Sequence, residues 1–175
     1  MSSGNLRSHG REVAVTRVVE PVPGDGPALM VAIVVPDANA AIAFYVAAFD
    51  AEESFRFVEP SGKVGHAELL LGGTRLMLSD PYPEHGVAPP PDGARSMRLH
   101  LYVADVDAVV ARALGLGAVL RQPAQDQVYG DRSATVIDLA GHAWHIASRR
   151  EEVAPAEMQR RWDRAMQEPA QTARV

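Results

Sequence analysis

Sixty-eight residues separate Asp37 from Asp105, and the same offset pairs Val35 with Val103, Ile42 with Val110 and Gly73 with Gly141. Landmarks spread over two halves of the chain therefore keep one register. The first half runs from Met30 through Asp37 and then Ala40–Tyr45; the second runs from Arg98 through Asp105 and then Ala108–Ala113. Both read as strand, turn and helix, and each continues into three strand-like runs. Self-similarity at a fixed offset is the mark of a duplicated supersecondary unit. The expected fold is α+β: two paired βαβββ modules forming a curved sheet with a concave cleft, followed by a C-terminal helix.

The divisions follow. Residues 1–28 form an N-terminal extension: a polar start, a β-prone run Val13–Val19, then the breaker Pro21–Pro27. The first module is 29–80, a Pro-rich linker 81–96, the second module 97–149, and a helix and tail 150–175. In the first module the expected elements are a strand at Leu29–Val35, a helix at Ala38–Phe49 capped by Asp37, and strands at Glu52–Val58, Lys63–Leu71 and Thr74–Ser79. In the second they are a strand from Arg98, a helix at Val106–Leu114, and strands at Ala118–Gln122, Arg132–Asp138 and Ala143–Ser148. Met158, Trp162 and Met166 lie at i, i+4 and i+8 and give the last helix an apolar stripe, expected to pack on the body or on a partner subunit.

Composition narrows the function classes. With 47% apolar and 22% charged residues the chain is an ordinary globular one, and 175 residues can bury a sizeable core. No apolar run is long enough to span a bilayer. The net charge of −5, without a basic run, disfavours nucleic acid. The absence of Cys removes disulfides and thiolate sites, which leaves His, Asp and Glu as the strong metal ligands. The N-terminus has no apolar core for secretion, so the expected location is the cytoplasm. No Gly-rich phosphate loop, nucleophile elbow or dinucleotide fingerprint is present.

Several motifs in order carry a resemblance: Val-Pro-Asp at 35–37, Ala-Ile-Ala-Phe-Tyr at 41–45, Gly-His-Ala-Glu-Leu at 65–69, Leu-Met-Leu-Ser-Asp at 76–80, Leu-His-Leu-Tyr-Val-Ala-Asp-Val-Asp at 99–107, Tyr-Gly-Asp-Arg-Ser at 129–133 and Asp-Leu-Ala-Gly-His at 138–142. Together they resemble the vicinal oxygen chelate superfamily of glyoxalases, bleomycin resistance proteins and dioxygenases, and within it the PhnB-like branch. The resemblance covers roughly 29–164 and implies the fold. It leaves the activity open, since one fold hosts many chemistries. Some proteins of this branch carry a methyltransferase label, which no nucleotide-binding segment supports here.

The resemblance assigns the usual metal-ligand positions to Met30, Met77, Arg98 and His145. Two thioethers and a guanidinium do not hold a hard or borderline divalent ion, so the usual metal site is not expected. An irregular set of His66, Glu68, His100 and His145 remains an alternative, because strand alternation puts all four on the mixed faces opposite the apolar ones. Ordinary pairing is the other expectation, with Glu68 on Arg98, or Arg98 held for an anionic ligand group. Asp131 and Arg132 are expected to pair locally in the turn, His142 to be structural or exposed, and Tyr129 to be a candidate proton donor.

The leading expectation is a cytoplasmic, metal-independent small-molecule-binding protein, a homodimer, with no nucleic-acid or membrane partner, that sequesters a drug or natural product. Met30, His66, Glu68, Met77, Arg98, His100, Tyr102 and His145 are its ligand-binding candidates. The alternative is a lyase, isomerase or dioxygenase with His100, His145 or Tyr129 as catalytic candidates. A third possibility is a structural partner protein acting through the C-terminal stripe.

Overall fold

Asp37 and Asp105 each start a helix in the same way: the carboxylate accepts from the amide three residues on, Ala40 N at 3.0 Å and Ala108 N at 3.1 Å. A computed structural model describes residues 21–22, 24, 27–91 and 97–167. Its elements are β1 (Val31–Val34), α1 (Ala38–Phe49), β2 (Glu52–Val58), β3 (Val64–Leu71), β4 (Thr74–Ser79), β5 (Arg98–Tyr102), α2 (Val106–Gly115), β6 (Val119–Asp126), β7 (Asp131–Ile137), β8 (Ala143–Arg149) and α3 (Pro155–Gln167), with a 3-10 turn at Pro83–His85 in the linker. The run Val13–Val19 lies outside the described residues. No helix among the described residues is long and apolar enough to cross a membrane.

The strands form two four-stranded sheets of identical plan, β1-β4-β3-β2 and β5-β8-β7-β6. In each, the first strand pairs parallel with the last, and the others are antiparallel. The repeat is thus a repeat of register: Ile33 faces Leu78 in one sheet and Leu101 faces Ile146 in the other. β3 and β7 depart from the 68-residue offset by one, because the turn between β7 and β8 carries an extra residue. Glu68 opposite Met77 is therefore matched by Thr135 opposite His145.

The apolar faces of both sheets meet on the two helices. One cluster joins Ile33, Leu69 and Leu78 from the first sheet to Leu101, Val136 and Ile146 from the second, through Tyr45, Phe49 and Val110 of the helices. Trp144 of β8 packs on Phe49 with ring centroids 4.7 Å apart. Fully burying side chains of this size stabilises by about 1.5–3 kcal/mol each before entropy is counted. The junction is also polar. Asp138 accepts from Tyr45 OH at 2.7 Å and from Trp144 Nε1 at 2.8 Å, and Arg112 of α2 donates to Ala48 O at 2.9 Å. Burial, then the Asp138 charge, raises the Tyr45 phenol far above its ordinary range, so it stays a donor.

Boundaries differ from the sequence reading mainly at β6, which runs on to Asp126 past Pro123. Proline is tolerated there because β6 is an edge strand whose outer N–H side needs no partner. On α3 the stripe is uncovered in the single chain: Met158, Trp162 and Met166 are 36%, 51% and 62% exposed.

Candidate functional site

With the apolar faces turned to the common core, alternation turns the opposite faces outward. On the second sheet a row of side chains crosses all four strands: His100 lies opposite His145, His145 opposite Thr135, and Thr135 opposite Gln122. The rings of His100 and His145 meet edge to face at 4.8 Å, and Tyr102 stacks on His100 at 4.7 Å. Thr135 Oγ1 donates to Gln122 Oε1 at 2.9 Å and lies 3.2 Å from His145 Nδ1. His145 is 8% exposed. Burial, then the neighbouring His100 and Arg98, lowers its pKa below the usual 6.5. It is accordingly a neutral imidazole at neutral pH.

Beside this row Tyr102 OH donates to Asp131 Oδ2 at 2.7 Å, and the Arg149 guanidinium sits 5.8 Å above the Tyr102 ring. The Asp131 hydrogen bond, then burial, raises the Tyr102 phenol above its ordinary range. A cavity of 440 Å³ opens here, lined among others by Tyr102, Tyr129, Asp131, Arg149 and Met158. Met158 brings the start of the α3 stripe to its rim. A larger cavity of 620 Å³ lies between β1, Pro90 and His142. Its lining side chains are mostly apolar and His142 Nε2 lies 2.9 Å from Val34 O, whereas ionisable side chains line the smaller cavity.

The equivalent row on the first sheet is Ala32, Met77, Glu68 and Phe55. Its surroundings are more apolar. Phe55 and Phe57 tilt against His66 at 5.6 and 6.2 Å, and Phe57 and Leu70 are 66% and 44% exposed. Glu68 is nearly buried and has His66 Nε2 at 3.4 Å and Arg75 Nε at 3.6 Å.

The structure thus gathers His100, Tyr102 and His145 with Arg98 on one sheet, and His66, Glu68 and Met77 on the other, with Met30 just before β1. Among the described residues no hydrogen bond, ion pair or ring contact joins the two groups, and no three His, Asp or Glu side chains converge in a way that would hold a metal ion. The irregular set of His66, Glu68, His100 and His145 is not assembled within one chain. Two pairings are corrected. Glu68 takes Arg75 in place of Arg98, because Arg75 lies on β4, adjacent to β3, whereas Arg98 belongs to the other sheet. Arg132 reaches back to Asp107 at 2.8 Å and to Asp126 at 3.3 Å, since Asp131 points to the opposite face and is taken by Tyr102. Sequence reasoning missed Gln122, Thr135 and Asp131 as site groups; only cross-strand register reveals the first two.

Two βαβββ modules on a shared core, with polar and aromatic outer faces and a C-terminal helix, define the fold class. The glyoxalase/bleomycin resistance protein/dioxygenase superfamily profile matches residues 28–146, and the chain belongs to that superfamily. It is 42% identical over 137 residues to an uncharacterized protein of Mycobacterium tuberculosis (strain ATCC 25618 / H37Rv), covering 76% of this chain and 81% of that one. Among solved structures it is similar to TioX from Micromonospora sp. ML1, at 28% identity and a TM-score of 0.55 over 69% of this chain and 97% of that one. The fosfomycin resistance protein FosX from Listeria monocytogenes, complexed with Mn(II) and sulfate, shares the fold at 18% identity and a TM-score of 0.55, over 77% and 95% of the two chains. A putative 3-demethylubiquinone-9 3-methyltransferase, PhnB protein, from Bacillus cereus does so at 19% and 0.57, over 69% and 98%.

Proposed function

We propose that this chain is a metal-independent small-molecule-binding protein of the PhnB-like branch, acting in the cytoplasm as a homodimer that sequesters a drug or natural product. The observation that carries the reading is the outward turn of both rows from one core. A single chain then holds two unlike half-clefts, and a second copy completes both by laying its first-sheet row against the second-sheet row of its partner. One wall offers Phe55, Phe57, Leu70 and Met77; the other offers His100, Tyr102, His145 and Arg98. A ligand with an aromatic body and an anionic edge suits such a pair of walls.

Met30, Met77, Arg98 and His145, the positions of the family's usual metal ligands, do not fit a divalent ion: one imidazole faces two neutral thioethers and a cation. That donor chemistry supports binding without transformation. Bleomycin-type sequestration fits it better than metal-assisted opening of a substrate.

The test uses 8-anilinonaphthalene-1-sulfonate, an aromatic anion that fluoresces when shielded from water, with light scattering to read the mass. Met77→Arg and His145→Glu are each expected to abolish the bound signal. Mixing equal amounts of the two variants should restore about a quarter of the parent signal, since about half of the exchanged dimers are mixed and each of these has one of its two clefts undamaged. A monomeric protein, or no restoration from dimers shown to exchange subunits, would sink the proposal.

One observation favours a second reading, a metal-free isomerase: the hydrogen-bond chain behind His145 is the kind that orients a base. A pH–rate profile left unaltered by both His100→Ala and His145→Ala would remove it.

A further inference from the structure

Thr135 stands between Gln122 and His145 with one hydroxyl proton to give. Its Oγ1 donates that proton to Gln122 Oε1 at 2.9 Å, so toward His145 Nδ1, 3.2 Å away, the oxygen can only accept. Nδ1 then carries the imidazole proton, and Nε2, on the far side of the ring from Thr135, keeps its lone pair. The reverse polarity, with the Gln122 amide turned over and Thr135 donating to Nδ1, would put an N–H on Nε2 toward the strand that bears the Arg98 cation. Charge favours the lone pair there, and the low exposure of the ring limits the screening of that charge.

We infer that Gln122 and Thr135 are positioning residues that hold His145 in its Nδ1–H tautomer, so that Nε2 faces the ligand as an acceptor and selects a hydroxyl donor carried beside an anionic group. Arg98, two residues before His100 on the same face of β5, takes the anion; His145 takes the hydroxyl. The ligand class rests on the reading of this face as half of a binding cleft. The tautomer does not, because it is a property of one sheet.

The register explains why the device is built in only one module. The matching first-sheet row holds Met77 where His145 stands and Glu68 where Thr135 stands. A thioether beside a carboxylate has no tautomer to fix. The two half-clefts therefore divide the recognition, one giving apolar area and the other a directed acceptor.

Two measurements test the inference. In the unliganded protein with 15N-labelled histidine, long-range proton–nitrogen spectra near neutral pH should show Nε2 of His145 as the unprotonated nitrogen. Thr135→Val should shift it toward the Nε2–H form that a free histidine side chain prefers. A dominant Nε2–H form in the parent protein overturns the tautomer. Calorimetric titration then compares 3-hydroxybenzoate with 3-methoxybenzoate, which lacks the donor. The hydroxy compound should bind about tenfold more tightly, a preference lost in Thr135→Val, as for a buried acceptor left unpaired. Equal affinity, or no binding of either compound, overturns the ligand class; failure of the dimer reading would instead appear in the mixing experiment.

Discussion

Asp80 and Ser148, 68 residues apart, do the same thing at the end of equivalent strands: each accepts from the first amide of its module's helix. The contacts are Ala38 N to Asp80 Oδ1 at 2.7 Å and Val106 N to Ser148 Oγ at 2.8 Å. The duplicated fold has kept the anchor while exchanging its chemistry. Asp80 does more, since its second oxygen accepts from Val64 N at 2.7 Å and so ties α1 to the start of β3.

The exchange predicts unequal costs. Asp80→Ala leaves two buried amides without partners and should destabilise by about 3 kcal/mol; Ser148→Ala loses one neutral bond and should cost about 1 kcal/mol. Urea unfolding of the two variants checks the order, and an equal cost would remove the second role of Asp80.

The junction between modules should be sensitive to a single oxygen. Tyr45→Phe keeps the packing on Phe49 and Trp144 but removes one donor to buried Asp138, which retains Trp144 Nε1 and the amides of Ala140 and His142. A loss of about 1–2 kcal/mol is expected, with both modules unfolding in one transition because they share a core. Calorimetry would contradict this if two separate transitions appeared.

His145 makes stability depend on pH in one direction. Its folded pKa lies below the unfolded value of 6.5, so the unfolded chain binds a proton first as pH falls. The contribution is fully present above 6.5 and is lost as pH drops through the folded value. His145→Gln should flatten that part of the curve of melting temperature against pH. A variant curve of unchanged slope would show that another group carries it.

Gly130 closes the turn before β7 at a φ of +100°, and a Cβ there would stand 2.6 Å from Glu151 O. Gly130→Ala therefore both strains the turn and pushes the backbone that leads into α3. A cost of about 2–3 kcal/mol is expected. Faster tryptic cutting at Arg160 and Arg161 would report the loosened helix.

Much of this was legible in the chain itself. The repeat, the two aspartate caps and the alternation of Ala67, Leu69 and Leu71 against His66 and Glu68 are local patterns with local causes, and the structure reproduces α1, β2 and β4 as read. The site was legible as a set of faces and not as a set of partners. Arg75, Arg98 and Arg132 each have several acids within reach on paper; which one each takes depends on strand order and on the side of the strand the acid occupies.

Sequence alone determined that there are two βαβββ modules in one register, since hydrophobic period and capping act over a few residues. Only the tertiary structure decided that the modules join through Tyr45, Trp144 and Asp138, and that the rows holding Met77 and His145 consequently both lie on faces turned from the shared core. The reason is that burial is non-local. An apolar face fixes that it must be covered, and the covering surface is chosen by shape and by buried hydrogen bonds between residues far apart in the chain, as between Tyr45 and Asp138.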